Sequence, residues 1–457
     1  MIDLKIEEII KAVNGELLSG DLNTTINGIS TDSRTIKEGE LFIPLKGEKF
    51  NGEEFLEKAL QKGSAALTES VENKGKYDKP IILVRDTKDS LHKLATFYRK
   101  KFKIPFIAIT GSSGKTTTKD MIYAVLSKKY NVLKTEGNYN NEIGLPLTIF
   151  RLKKEHSIAV VEMGMSGFGE IRKLKNIAMP DIAVYTNIGV AHIEKLGSRE
   201  NILKAKSELV EDFKCGNTIV LNADDDMLIK LLNKNGVEYY TYGINNGDYK
   251  AYGIVSMENG VKYKALIDND EMDIELCIPG RHNVYNSLAA ICIGIKFGVN
   301  KEDIEEALRD FRPGAMRLNI TDVKNIKIIN DAYNANPGSM RAAISVLKYF
   351  NNRRKIAVLG NMLELGEYSN IGHEEIGEYV KESNIDILIT IGDLARKIAE
   401  GALKKGMSSI NVFVCNDNKE AIDKLKNIMK KNDVYLIKGS RGMKMEEIVK
   451  FLQESAI

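Results

Sequence analysis

One segment restricts the fold of this chain more than any other. The apolar run PFIAIT (105–110) leads into Gly111-Ser112-Ser113-Gly114-Lys115-Thr116-Thr117, and KTTTKDMIYAVLSKK follows with helical character. Strand, glycine-rich turn and helix in that order predict a phosphate-binding loop. Glycines let backbone N–H groups curl around phosphate oxygens, and the helix N-terminus adds positive potential. Lys115 is placed to reach the β- and γ-phosphates, and the Thr116 hydroxyl to hold Mg²⁺. The spacing departs from G-x-x-x-x-G-K-[ST], because Ile109 stands where the first glycine normally falls. An ordinary glycine turn is the competing reading, and the flanking strand and helix argue against it.

The rest of the chain extends the same rhythm. Apolar runs recur at 157–164, 181–189 and 218–225 with helical stretches between them, the pattern of a mostly parallel sheet covered on both faces. Residues 239–278 break the alternation as an antiparallel appendage would, and a helix after Asn283 returns to the main sheet. Before this unit, 29–45 carries turn chemistry and then a short apolar strand, 52–69 has helical spacing and then a strand, and 80–86 is another strand. After FRPGAMR (311–317) the βα alternation restarts in a Rossmann-like third unit. At about 150 residues per domain, 457 residues allow three domains. The expected fold is α/β, divided at 1–102, 103–312 and 313–457.

Charge and cysteine content narrow the class. A balance of 66 Lys and Arg against 63 Asp and Glu argues against a nucleic-acid binder. Cys215, Cys277, Cys292 and Cys415 lie far apart, as buried free thiols of a reducing compartment would. The opening MIDLKIEEII lacks a basic region followed by an apolar core and so is not expected to act as a signal peptide, and no apolar run approaches about 18 residues. A cytoplasmic, monomeric protein without a membrane span is expected.

Glu162 and His192 fall at the carboxyl ends of predicted strands, where open parallel sheets gather ligands, so both could face the phosphate loop. By themselves they read equally as a solvated strand end and a loop histidine. Asn283 and Asn286 could read a base edge, or serve merely as helix caps. Lys206, in RENILKAKSELVEDF, is by pattern one solvated lysine of an amphipathic helix. Asp331 and Asn334 to Asn336 follow a strand, with NANPGS a plausible turn and cap.

Taken together these segments resemble the Mur ligase family of ATP-dependent amide-bond-forming enzymes. The resemblance runs through STDSR (30–34), LKGEKFNG (45–52), TGSSGKTT, GNYNNEIGLPLT (137–148), VEMGMSGFGEI (161–171), TNIGVAHIEKLGS (186–198), KAKSEL (204–209), GRHNVYNSLAA (280–290) and RPGAMR (312–317). It continues in NDAYNANPGSMRAA (330–343), LGNMLELGEYS (359–369) and KGSRGMKMEEIV (438–449). These last three are most similar to the branch that adds D-alanyl-D-alanine. The diaminopimelate-adding branch typically has Asn-Pro-Arg where this chain reads Asn336-Pro337-Gly338.

The resemblance implies that Gly111, Ser112, Ser113, Gly114, Lys115, Thr116 and Thr117 cradle ATP. It implies one Mg²⁺ on Thr116 and Glu162, a second on Glu162 and His192, and a CO₂-derived carbamate on Lys206. His282 and Asn283 would contact adenine, and Arg317 and Asp331 the triphosphate and ribose. Ser33, Arg34 and Phe50 would bind the uridine part of UDP-MurNAc-tripeptide. Asn138, Asn140 and Asn141 would lie along the muramoyl substrate, with Asn334 and Asn336 on the substrate side of the third domain. The implied reaction joins D-Ala-D-Ala to the tripeptide through an acyl phosphate during peptidoglycan precursor synthesis. Two alternatives remain: another ligase of the group, acting on a diamino acid or glutamate, and a nucleotide switch that ligates nothing.

Overall fold

The computed structural model describes residues 1–47, 50–232, 235–267 and 270–455. Within LKGEKFNG, residues 48 and 49 therefore lie outside the described residues. The described strands form a two-stranded ribbon and sheets of five, nine and six strands.

The five-stranded sheet runs Glu16–Ser19, Ile81–Leu83, Ala65–Thr68, Glu40–Phe42, Gly28–Ser30 and is parallel except at the first strand. Side-chain alternation divides its faces. Leu41, Ala65, Leu67 and Ile82 meet the helices Ile6–Val13 and Thr87–Lys100, whereas Phe42, Ala66 and Ile81 meet the short helix Leu56–Leu60. The first of these cores continues without interruption into Phe106, Ala108, Leu145 and Ile149. The Tyr98 hydroxyl accepts from Ile2 N at 2.6 Å and donates to Leu152 O at 2.8 Å, pinning the N-terminal unit to the next.

The nine-stranded sheet carries the phosphate loop. Its order is Val132–Lys134, Ile158–Glu162, Phe106–Thr110, Ile182–Tyr185, Thr218–Asn222, Glu238–Gly243, Tyr249–Met257, Gly260–Ile267, Asp270–Leu276. Ile107 and Ile109 face the helices Lys115–Leu126 and Arg281–Lys296, while Phe106 and Ala108 face the opposite core. The expected antiparallel appendage over 239–278 needs correction. Glu238–Gly243 and Tyr249–Met257 extend the sheet in parallel, and only the last two pairings are antiparallel. All of it belongs to the main sheet.

The six-stranded sheet runs Asn319–Val323, Ile326–Asn330, Asp433–Lys438, Arg354–Gly360, Ile387–Ile391, Val412–Cys415, parallel save for the first strand. The last strand in the chain inserts beside Ile326–Asn330, so Asp331 and Lys438 end side by side at the carboxyl edge.

The expectation of four buried thiols is only half met. Cys292 and Cys415 are buried, Cys277 is partly buried and Cys215 is exposed, all of them free. Among the described residues no helix is long and apolar enough to cross a membrane.

Candidate active site

A cavity of about 740 Å³ opens where the carboxyl ends of the nine-stranded and six-stranded sheets face each other. Ser112 to Thr117 form one wall. Asn138, Asn140, Asn141, Glu162, His192, His282, Asn283, Arg317, Asp331, Asn334 and Asn336 also line it. Ser33, Arg34 and Phe50 do not. Arg34 pairs with Asp32, its Nη2 2.7 Å from the carboxylate, and Phe50 is 59% exposed. The Arg34 guanidinium holds the Asp32 carboxyl down at about 2.

The loop is built as the sequence requires. Gly111 has φ +151°, and a Cβ there would lie 1.9 Å from Thr186 Oγ1, so no side chain fits. Gly114 begins the helix in the left-handed region, and no side chain caps it. The first-turn N–H groups are therefore available to an anion. Residues that sequence reasoning left without a role brace the loop from the next strand end. Asn187 O accepts from Ser112 N at 2.9 Å, Asn187 Oδ1 from Ser113 N at 3.0 Å, and Thr186 Oγ1 donates to Ser113 O at 2.6 Å. Their signal was the TNIG segment, whose polar pair follows an apolar strand.

Thr116 Oγ1 donates to Glu162 Oε2 at 2.8 Å, and Asn140 Nδ2 donates to Glu162 Oε1 at 2.7 Å. The hydroxyl and carboxylate thus stand together beside the helix N-terminus, an all-oxygen donor pair of the kind Mg²⁺ prefers. Among the described residues no three His, Cys, Asp or Glu side chains cluster at metal-ligand range.

Lys206 is the largest departure from pattern reading. It is 1% exposed rather than solvated, and its Nζ donates to Gly111 O at 2.9 Å. Lys115 Nζ donates to the same carbonyl at 2.9 Å. Burial, and then the neighbouring Lys115 charge, hold the Lys206 amine well below the usual lysine range. Burial also lowers Lys115, opposed by the Glu162 carboxylate. Helical periodicity hid this because the helix Arg199–Ser207 ends against the loop, which covers the Lys206 side of its last turn and leaves Lys204 exposed.

Asn283 and Asn286 are not caps, since the helix Arg281–Lys296 starts at Gly280. Asn286 Oδ1 accepts from Thr118 Oγ1 at 3.1 Å and its Nδ2 donates to Asn283 Oδ1 at 3.0 Å, tying this helix to the loop helix. Across the cavity Lys438, 2% exposed, pairs with Asp331 and donates to Asn334 O at 2.9 Å. Burial and then the Lys438 charge push His282 down to about 4. Arg317 stacks on Tyr333 at 3.9 Å, and Asn336 caps the helix Pro337–Lys348 with Ser339 in a reciprocal box. Sequence reasoning gave Lys438 no role; its signal was a lysine at the end of an apolar strand.

Known proteins match this chain throughout. Residues 25–99 match the Mur ligase family, catalytic domain; residues 109–294 the Mur ligase middle domain; residues 316–441 the Mur ligase, glutamate ligase domain. The UDP-N-acetylmuramoyl-tripeptide–D-alanyl-D-alanine ligase of Bacillus subtilis is 41% identical, covering 100% of both chains. A crystal structure of MurF from Acinetobacter baumannii superposes with a TM-score of 0.91 at 30% identity, covering 99% of both chains. MurF ligase of Thermotoga maritima in complex with ADP gives 0.83 at 31% identity, over 93% of this chain and 97% of that one. The chain belongs to the Mur ligase family.

Proposed function

We propose that this chain is an ATP-dependent ligase that joins D-alanyl-D-alanine to UDP-N-acetylmuramoyl-tripeptide through an acyl phosphate, in peptidoglycan precursor synthesis. The observation that carries the reading is the 41% identity to the Bacillus subtilis enzyme over both full lengths. The cavity supports it, because a phosphate loop on one sheet faces polar side chains of another, as a reaction of three substrates needs.

A carboxylate is a poor acyl donor. Its oxygen attacks the γ-phosphorus, the bond to the β-phosphate oxygen breaks, and ADP leaves. The amine of the dipeptide then attacks the acyl carbon, loses a proton, and inorganic phosphate departs with its oxygen. Lys115 and the first-turn N–H groups offset charge on the transferring group. His282 and Asn283 are assigned to adenine, and Arg317 and Asp331 to ribose and triphosphate. Asn138, Asn140 and Asn141 are assigned to the muramoyl substrate, Asn334 and Asn336 to the substrate side of the third domain, and Ser33, Arg34 and Phe50 to uridine.

Thr116 and Glu162 fit one Mg²⁺, and His192 with Glu162 is assigned a second; bound there, the ions would supply further charge neutralisation. Lys206 fits a carbamate, since carbamate formation needs the neutral amine that its buried position favours. Division at 1–102, 103–312 and 313–457, a monomeric state and a cytoplasmic setting complete the reading.

The test is product mass. Full-length protein with ATP, Mg²⁺, UDP-MurNAc-tripeptide and D-Ala-D-Ala should yield a nucleotide heavier by the dipeptide less water. An unchanged nucleotide alongside ATP turnover would refute the reading.

A further inference from the structure

The segment LGNMLELGEYS has so far no role, yet the structure brings it to the active site. Val190 and Ile193, in the segment after the strand Ile182–Tyr185, pack against the core of the six-stranded unit. Glu364 and His192 meet at this contact. His192 Nδ1 is buried, lacks an in-line hydrogen-bond partner, and lies 2.5 Å from a Glu364 carboxylate oxygen. Both residues adopt left-handed backbone, His192 with φ +63° and Glu364 with φ +64°. Glu194 N donates to Glu364 O at 3.4 Å. At Gly366, φ +52°, a Cβ would sit 3.0 Å from Glu194 Cα, so the two loops approach too closely for a larger residue. The Glu364 side chain is half exposed and serves no core.

We propose that Glu364 is a positioning residue for His192, supplied across the domain interface. A carboxylate 2.5 Å from Nδ1 favours the Nδ1–H tautomer electrostatically even without an in-line hydrogen bond, and leaves Nε2 as the basic nitrogen of a residue that lines the cavity. Because the carboxylate comes from the six-stranded unit, the imidazole is oriented only when the two units are closed. Closure thereby completes the phosphate-loop side of the site. This rests on the ligase reading for its kinetic consequence but not for the contact itself.

The experiment compares Glu364→Ala, Glu364→Gln and Glu364→Asp, with Gly366→Ala, which keeps the carboxylate but crowds the contact. The exposed Glu367→Gln is the control. Two readouts are taken: ¹⁵N shifts of the His192 imidazole in nucleotide-free protein at fixed pH, and steady-state phosphate release. We expect Glu364→Ala and Gly366→Ala to lose the Nδ1–H signature and to lower kcat about 10–100-fold with little change in the KM for ATP. Glu364→Asp should recover part of the rate and Glu367→Gln should match the parent. An unaltered imidazole spectrum in Glu364→Ala, or a loss confined to KM, would overturn the proposal. If the parent shows no acceptor-dependent phosphate release, the ligase reading fails, and the spectra still decide the Glu364 contact.

Discussion

At the scale of single residues, Lys206 carries the sharpest chemistry. Two lysines donate to one carbonyl, among the described residues no carboxylate bonds to either, and the more deeply buried one is held well below its ordinary range. A buried amine beside bound cations would suffer repulsion as an ammonium, and a carbamate reverses that sign. Lys206→Ala is expected to lose most activity and to recover part of it when a short carboxylate is added to the buffer. Lys204→Ala, exposed on the same helix, should change turnover little. Equal losses at both positions would contradict the assignment. His282 gives a test in stability. Its imidazole titrates near 6.5 when unfolded and near 4 when folded, so between those values the unfolded chain binds more protons. Stability therefore rises with pH across that window and is lost as pH falls through it, by at most about 3 kcal/mol. Melting of His282→Gln from pH 7 to pH 4 should show a shallower fall than the parent. A parallel fall would remove His282 as a source.

At the scale of elements, the strand–loop–helix at 106–126 was legible because glycine, lysine and threonine have few other reasons to follow a buried strand. Its geometry adds a prediction. Gly111→Ala would push a Cβ into Thr186 Oγ1 and shift the carbonyl that both lysines share. Turnover should fall by about 100-fold or more, with Mg-ATP no longer raising the melting temperature. Retained thermal stabilisation by Mg-ATP would show that the loop tolerates the displacement. What the sequence hid at this scale has a common cause. Lys206 sits on a helix whose last turn is closed off by a loop distant in sequence. Asn286 looks like a cap until the helix start at Gly280 is known. The parallel pairing of Glu238–Gly243 and Tyr249–Met257 depends on long-range register, which alternation of side chains does not encode.

At the scale of the whole molecule, three units share cores and loops instead of hanging from linkers. The N-terminal helix Thr87–Lys100 packs on the same core as the central sheet, and Arg99 donates to Ala178 O at 2.7 Å across that junction. The opposite end of the central sheet meets Glu364. The sequence did not reveal Glu364 beside His192 or the Lys438 charge near His282. Both placements depend on how the central and six-stranded sheets face one another, which no local pattern encodes. Enclosure of a reactive acyl phosphate between two sheets limits its loss to water, so catalysis and closure belong to one process.

The central claim is that ATP turnover is productive only with a dipeptide amine. Phosphate release by the full-length protein, measured with UDP-MurNAc-tripeptide in the presence and absence of D-Ala-D-Ala, tests it most directly. Release should depend on D-Ala-D-Ala and should not be supported by diaminopimelate or lysine acting on UDP-MurNAc-dipeptide. Turnover with a diamino acid and the dipeptide nucleotide, and none with D-Ala-D-Ala, would contradict the account and place the chain in the neighbouring branch of the family.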